Sequence, residues 1–312
     1  MKNQNQSPAS YNDSGVAWFD KGEYDKAIAD YTQAISMYSN YTLAYMNRGT
    51  AWAEKGEYSK AIADFGDAIR LDQSHASPYH NRGRTYMDIG EYEKAIADYD
   101  KAILLNPDEA KAYSDRGNAW VKKGQESRDV VCYERSIADY NHALVLDPNN
   151  ARAYTGRGAA WDGKGDYDKA ITDYGEALRL NQKNPGAYYN RGNVYYRKGE
   201  YDSALADYEV AIALKPDFAL AYSNRGLTWA RKGNYEQAIA DYDRALVLMP
   251  NFSGPYYNRA RLEAICGRIG NALEWLARAI EKDAMCREYA KTEPDFVSLR
   301  GDSRFLASVG NP

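Results

Sequence analysis

The dipeptide Arg-Gly recurs along the chain at a nearly constant interval, and this period constrains the fold more than any other feature. It occurs as Arg48-Gly49, Arg82-Gly83, Arg116-Gly117, Arg157-Gly158, Arg191-Gly192 and Arg225-Gly226. Degenerate copies, Ser14-Gly15 and Arg259-Ala260, stand at the two ends, and the successive intervals are 34, 34, 34, 41, 34, 34 and 34 residues. Self-similarity at a fixed period of this length predicts repeats that stack on their neighbours and share a distributed core.

Each period has the pattern of two helices joined by a turn. In the second period, Tyr45, Gly49 and Trp52 are four and three residues apart, which places them on one face of a helix. The same spacing returns within residues 61–68, and Gly56 lies between the two segments. Loops containing proline, which cannot continue a helix, follow several of the second segments. Each period is therefore predicted to form a helix–turn–helix.

Tyrosine is used far more than the other aromatic residues, with 29 Tyr beside 6 Phe and 6 Trp. About half of the tyrosines fall in two columns of the repeat, which we predict to pack between helices. The first column comprises Tyr11, Tyr45, Tyr79, Tyr113, Tyr154, Tyr188, Tyr222 and Tyr256, and the second comprises Tyr24, Tyr58, Tyr92, Tyr133, Tyr167, Tyr201 and Tyr235. Tyrosines outside these columns remain as candidates for function.

These units resemble tetratricopeptide repeats, a family with a 34-residue period and a W…LG…Y…A…F…P pattern. The resemblance covers residues 8–284 as eight units that start near residues 8, 42, 76, 110, 151, 185, 219 and 253. It implies an all-α fold, a right-handed superhelical solenoid whose first helices line a concave groove. Residues 1–7 are predicted to form a disordered tail, and residues 285–312 to form C-terminal capping helices.

The chain departs from the family pattern by placing Arg, instead of an apolar residue, before the glycine. An Asp lies eighteen residues before each Arg, which suggests a salt-bridge ladder between repeats. The predicted pairs are Asp30–Arg48, Asp64–Arg82, Asp98–Arg116, Asp139–Arg157, Asp173–Arg191, Asp207–Arg225 and Asp241–Arg259. The alternative is that the arginines form an anion-binding stripe.

Two segments break the period, and each has two interpretations. Seven extra residues lie between Gly124 and Tyr133. In one interpretation they form a longer turn or extra helical turns without a functional role. In the other they form a contact surface made of Arg128, Val130, Val131 and Cys132. In the second segment, residues 285–312, Thr292 is predicted as the cap of a helix that has Pro294 in its first turn and a carboxylate, Asp295, three residues after the cap. This segment either caps the solenoid or acts as a detachable peptide that enters a groove.

Composition and motifs give no indication of catalysis. The three histidines, His75, His80 and His142, form no metal-ligand spacing, and no phosphate loop or nucleophile motif occurs. We therefore expect no enzyme activity, no cofactor and no metal. A net charge of −4 argues against a nucleic-acid partner or a membrane surface. Three scattered cysteines and the absence of an apolar leader favour a cytoplasmic protein.

Binding is then the expected function, and the resemblance places it on the first helices. Groove positions lie three before and one, four and five after each glycine, and basic side chains predominate there in the later repeats. We predict a non-enzymatic scaffold that holds a protein or peptide segment, acidic in part, at Tyr189, Asn193, Tyr196, Arg197, Arg231, Tyr257 and Arg261. The alternatives are a structural, self-associating array and a helical-repeat RNA binder. The expected state in solution is a monomer or a weak self-associate.

Overall fold

The structure is a computed structural model that describes residues 7–310. Residues 1–6 of the predicted tail and residues 311–312 of the predicted cap lie outside the described part. Ser7, which was predicted to belong to the disordered tail, is instead the N-cap of the first helix. Its Oγ accepts a hydrogen bond from the backbone N–H of Ser10 at 3.2 Å, which satisfies a donor that a helix start leaves open.

The chain divides into two compact bodies, of which the N-terminal one ends at Asp166. Its described residues, 7–166, form four consecutive antiparallel helix pairs followed by a ninth helix. The helices are α1 (Pro8–Phe19), α2 (Tyr24–Met37), α3 (Thr42–Glu54), α4 (Tyr58–Leu71), α5 (Ala76–Asp88), α6 (Tyr92–Leu105), α7 (Ala110–Ser127), α8 (Val130–Leu146) and α9 (Ala151–Lys164).

The C-terminal body begins at Tyr167 and continues the same pattern. Its helices are α10 (Tyr167–Leu180), α11 (Pro185–Lys198), α12 (Tyr201–Leu214), α13 (Ala219–Arg231), α14 (Tyr235–Leu248), α15 (Ser253–Ile265), α16 (Ile269–Lys282), α17 (Met285–Thr292) and α18 (Ser303–Val309). A 3₁₀ helix, Pro294–Leu299, lies between the last two. Between Ser7 and Gly310 every regular element is helical, which confirms the predicted all-α fold of paired helices.

Glycine at two positions of the repeat allows each pair to form. Gly56 ends the turn between α3 and α4 with a φ of +75°, a backbone region that favours glycine. Gly49 faces the ring of Phe65, and a Cβ at this glycine would lie 2.9 Å from the ring carbon Cε1. No real Cβ approaches so closely, so the missing side chain is what lets the second helix place a ring there.

The most buried aromatic column is the one on the second helix that faces this glycine. Its members are Tyr31, Phe65, Tyr99, Tyr140, Tyr174, Tyr208 and Tyr242, all at most 1% exposed. The two columns predicted as core, which contain Tyr45 and Tyr58, are mostly only half-buried. The side chains of Tyr45 and its equivalents lie instead against the arginine of the repeat, as in the 5.6 Å approach of Arg48 to the Tyr45 ring. Those tyrosines therefore cover the core edge and do not form its centre.

The arginines bind carboxylates, but the predicted pairing is wrong. Arg48 donates from Nε and Nη2 to the two oxygens of Asp64 at 2.8 and 2.7 Å, and Asp64 belongs to the same repeat. The same fork joins Arg82 to Asp98, Arg116 to Asp139, Arg191 to Asp207, and Arg225 to Asp241. At the chain start, Asp30 accepts from Ser14 of its own repeat.

The physical reason for this pairing is the symmetry of an antiparallel helix pair. The turn glycine Gly56 lies eight residues after Arg48 and eight before Asp64, so the two side chains meet across the hairpin. Links between repeats use the remaining nitrogen, Nη1. It reaches Asp100 from Arg116 at 2.6 Å and Asp243 from Arg259 at 2.7 Å. Arg116 therefore joins its own two helices through Asp139 and reaches the preceding repeat through Asp100.

The extra seven residues lengthen both helices of the fourth pair instead of forming a loop. α7 has 18 residues and α8 has 17, and only two residues separate them. Arg128 takes a left-handed conformation with a φ of +57°, and Asp129 caps α8 through the N–H of Val131. Cys132 is buried and cannot belong to a contact surface. Val130 is half-exposed at the projecting tip.

The C-terminal segment is packed as a cap. Phe296, Leu299, Phe305 and Val309 are buried together with Leu276 of the last repeat. The predicted cap residue is wrong, because Thr292 ends α17 and Glu293 is the N-cap of the 3₁₀ helix. Full burial of two aromatic rings favours the capping interpretation over a detachable peptide.

Candidate functional site

The first helices of the sixth, seventh and eighth repeats, α11, α13 and α15, contact one another and form a continuous face of the C-terminal body. A cavity of about 220 Å³ and another of about 310 Å³ open on this face. We call the larger one the tyrosine cavity and the smaller one the leucine cavity. Both contain residues from the groove positions predicted from the sequence.

The tyrosine cavity brings together four of the predicted site residues. Its lining comprises Tyr189, Asn193, Tyr196, Arg197, Tyr208, Asn224 and Leu227. Arg197 is exposed at its rim, whereas Tyr189, Asn193 and Tyr196 are half-buried. Tyr208, from the buried aromatic column of α12, forms its floor. The cavity therefore has an aromatic base and a basic rim.

A hydrogen-bond network fixes the polar side chains of the tyrosine cavity. Asn224 donates from Nδ2 to the hydroxyl of Tyr189 at 3.0 Å and to Oδ1 of Asn193 at 2.8 Å. Tyr208 donates its hydroxyl to the same Oδ1 at 2.8 Å. Between Ser7 and Gly310, no hydrogen bond occupies the Nδ2 group of Asn193. Since its oxygen is already bound twice, this side chain presents donors to the cavity.

The leucine cavity adjoins the first one at Leu227, which lines both. Its remaining lining includes Ala230, Arg231, Tyr235, Tyr242, Asn258, Arg261, Leu262, Ile265 and Asp295. Arg231 stands at the border of the cavities and donates from Nε to the hydroxyl of Tyr196 at 3.2 Å. That hydrogen bond raises the pKa of Arg231. Of the predicted residues, Arg231 and Arg261 therefore line the leucine cavity.

Arg261 reaches the leucine cavity, but the chain's own acidic residues bind it. Its Nη2 and Nε lie 2.6 and 2.9 Å from Oδ2 of Asp295. Glu293 adds a second carboxylate at 3.2 Å from Nε. These contacts neutralise Arg261, so the cationic contact expected at this position is already filled from the C-terminal segment.

Tyr257 lines neither of these two cavities. Its ring packs edge-on against Phe296 at a centroid distance of 5.6 Å. Its hydroxyl is buried without a hydrogen-bond partner among the residues that the structure describes. Burial raises the pKa of this hydroxyl well above its usual range. The structure therefore gives Tyr257 a place under the cap instead of in the groove.

The corresponding face of the N-terminal body carries acidic side chains that partner basic ones. Arg84 of α5 donates to Glu54 of α3 at 3.1 Å. His80, which is buried, lies 2.8 Å from a carboxylate oxygen of Asp115 on α7. The cavity beside Arg84 on this face has a volume of only about 20 Å³. The face of this body offers less room than that of the C-terminal body.

In the described part of the chain, no cluster of three or more His, Cys, Asp or Glu side chains could hold a metal ion. No described helix combines the length and the apolar composition that crossing a bilayer demands.

Comparison with known families identifies the repeats. A model described as "TPR repeat" matches residues 83–124, 164–199 and 192–233. Two models described as "Tetratricopeptide repeat" match residues 219–252 and 13–78. The chain belongs to the tetratricopeptide repeat family. This confirms the resemblance expected from the Arg-Gly period.

Solved structures with this tetratricopeptide repeat fold resemble the chain over most of its length. One is a tetratricopeptide repeat protein from Parabacteroides merdae, 20% identical, covering 88% of this chain and 100% of that one with a TM-score of 0.66. The APC/C hetero-tetramer Cut9–Hcn1 contains a chain that is 16% identical, with coverages of 99% and 57% and a TM-score of 0.64. The MamA protein is 27% identical, with coverages of 56% and 92% and a TM-score of 0.50. The search of curated proteins found no match.

Several residues that line these cavities were not predicted from the sequence. Tyr208, Asn224 and Leu227 line the tyrosine cavity but were not among the predicted residues. A signal for Asn224 was present, because residues 35 apart on successive first helices touch one another. Tyr189 with Asn224 and Tyr196 with Arg231 both follow this spacing. No periodic signal predicts Asp295, since it lies in the segment that breaks the repeat.

Proposed function

We propose that the chain is a non-enzymatic protein-interaction scaffold that holds an acidic segment of a partner protein against α11, α13 and α15. Family membership supports the general role, since tetratricopeptide repeats generally bind proteins or peptides. The observation that carries the finer proposal is the pair of adjoining cavities with Arg231 at their border. In keeping with this role we propose a cytoplasmic location and a monomer or weak self-associate.

The chemistry of the tyrosine cavity favours an acidic segment. Arg197 and Arg231 supply positive charge, while Asn193 and the tyrosine hydroxyls supply hydrogen-bond donors. Carbonyl and carboxylate oxygens of an extended segment accept from such donors, and Arg binds carboxylates through two parallel hydrogen bonds. Tyrosine and arginine are also the residues that most often dominate binding energy at protein interfaces.

The experiment measures binding of a fluorescein-labelled acidic peptide by fluorescence anisotropy. The probe is a 12-residue peptide of Gly and Ser that carries three Glu residues, and a matched peptide carries three Lys residues. We expect the Glu probe to bind and the Lys probe not to bind. The charge reversal Arg197→Glu with Arg231→Glu should raise the Kd of the Glu probe at least about tenfold, a loss of about 1.4 kcal/mol.

The matched control reverses two arginines of the same body that line neither cavity. Arg244→Glu with Arg287→Glu changes the net charge equally and should leave the Kd within about twofold. Equal loss of binding in both double variants would mean that the overall charge, and not this face, attracts the peptide. Such a result would refute the proposed site.

A further inference from the structure

The column of basic residues on the first helices ends at the leucine cavity. The position five residues after the repeat glycine is Arg197 in the sixth repeat and Arg231 in the seventh. In the eighth repeat it is Ile265, whose side chain is 49% exposed at the rim of the leucine cavity. A half-exposed isoleucine next to a cavity has apolar surface that a ligand could cover.

Several of the side chains that line the leucine cavity together with Arg231 are apolar. Leu262 is buried beneath it, and Leu227 and Ala230 from α13 face it. Because successive side chains of an extended segment alternate, residues two apart lie on one side and about 7 Å from each other. A segment whose carboxylate contacts Arg231 therefore presents its next side chain of the same side to the leucine cavity.

Asp295 determines what this second side chain can be. Its carboxylate lines the leucine cavity and binds Arg261 at 2.6 Å. A partner carboxylate entering here would meet two carboxylates, Asp295 and Glu293, which share the single positive charge of Arg261 and leave a net negative charge. An uncharged apolar side chain meets no such repulsion and covers Leu262 and Ile265.

We infer that the groove recognises an extended partner segment in which one acidic and one apolar residue stand two positions apart. The acidic residue binds at Arg231, the apolar residue enters the leucine cavity, and Asp295 excludes a second carboxylate from that cavity. This inference rests on the proposed function and assigns Asp295, a residue of the capping segment, a role in partner selection.

The test uses three labelled probe peptides that differ at one residue within the same Gly/Ser flanks. Their centres are Glu-Gly-Leu, Glu-Gly-Ser and Glu-Gly-Glu. The first two are also made in the reverse order, Leu-Gly-Glu and Ser-Gly-Glu, and for each pair the order that binds more tightly is used in the comparison. With the wild-type chain, we expect the Leu probe to bind at least fivefold more tightly than the Ser probe. The probe with two Glu residues should bind no more tightly than the Ser probe.

Two variants with matched controls examine the two walls of the leucine cavity. Ile265→Glu should abolish the preference for Leu over Ser, whereas Val247→Glu, at an outward residue that is 70% exposed, should preserve it. Asp295→Asn should tighten binding of the probe with two Glu residues at least threefold. Asp302→Asn removes a carboxylate of the same segment that lines neither cavity, keeps a capping side chain at the start of α18, and should leave the binding of all three probes unchanged. Circular dichroism verifies that each variant is folded, and Ile265→Ser replaces Ile265→Glu if that variant is not.

The outcomes separate this inference from the proposed function. If Arg231→Glu weakens every probe but the Leu preference is absent, or survives in Ile265→Glu, the inference is wrong and the acidic-segment site stands. An unchanged Kd of the probe with two Glu residues in Asp295→Asn also overturns the role of Asp295. If Arg231→Glu weakens none of the probes, the proposed function itself fails.

Discussion

The ion pair between Arg82 and Asp98 offers a direct test of how the repeats are held together. The side chain of Asp98 is 8% exposed and that of Arg82 is 23% exposed, and two hydrogen bonds of 2.7 and 2.8 Å join them. The perturbation is a double-mutant cycle with Arg82→Met and Asp98→Asn. A second cycle combines Arg82→Met with Asp64→Asn, the partner that the sequence spacing had predicted.

The geometry determines the size of the expected coupling. Exposed ion pairs contribute about 0–1 kcal/mol, and contacting residues in one hydrogen-bonded network couple by about 0.5–3 kcal/mol. Because this pair is bidentate and mostly buried, we expect a coupling of about 2 kcal/mol between Arg82 and Asp98. Between Arg82 and Asp64 we expect less than about 0.5 kcal/mol, the range found for independent sites.

The assay is urea unfolding followed by circular dichroism. The data are fitted with a nearest-neighbour model, because the stability of a repeat array is a sum of repeat and interface contributions. Substitution of Asp64 alone is expected to destabilise the chain, since it breaks the pair with Arg48. Only the coupling free energy distinguishes the two arrangements. A larger coupling for Arg82 with Asp64 than with Asp98 would refute the pairing within repeats.

The remaining stability predictions use the same unfolding assay. Gly83→Ala should lower the free energy of unfolding by about 2 kcal/mol, because the added Cβ would lie 2.9 Å from the Tyr99 ring. The control Gly66→Ala should raise it by about 0.5–1 kcal/mol, because a Cβ there would meet nothing nearer than 3.8 Å and alanine favours the helix. Equal effects of the two substitutions would contradict this packing. Arg128→Gly should stabilise by about 1 kcal/mol, because Arg128 has a φ of +57° where glycine has no steric cost; a loss of stability would show that the Arg side chain outweighs this cost. Burial raises the pKa of Glu263, but hydrogen bonds from two arginines outweigh it and lower the pKa below 4.5. The contribution of ionised Glu263 to the free energy of unfolding is therefore complete above pH 4.5 and is lost as the pH falls through the lowered pKa. Glu263→Gln should reduce the free energy of unfolding at pH 7 and make it depend less on pH in the acid range. An unchanged pH dependence in the acid range would contradict the role of Glu263.

The period and the spacing within each repeat were sufficient to predict the fold. Tyr45, Gly49 and Trp52 define a helical face by spacing alone, and the close approach of Gly49 to Phe65 follows from the missing Cβ. The pairing of charges was not predicted correctly, because counting eighteen residues upstream ignored the antiparallel hairpin. Equal distances from Gly56 would have identified Asp64 as the partner of Arg48.

The candidate site was only partly predictable for a related reason. Repeat positions predicted which residues face the groove, and the tyrosine cavity contains Tyr189, Asn193, Tyr196 and Arg197. The state of Arg261 could not be predicted, because Asp295 belongs to a segment without a period. Where that segment folds is determined by the burial of its apolar side chains against the last repeat.

The most direct test of the central claim is methyl NMR of the chain during titration with the Glu-Gly-Leu probe. If the groove of the C-terminal body binds the acidic segment, the methyl signals of Ile265 and Leu227 shift with the added peptide. The signals of Ile89 in the N-terminal body and Val297 on the cap surface stay in place, although both side chains are exposed. Shifts at Ile89 or Val297 with none at Ile265 and Leu227 would contradict the account.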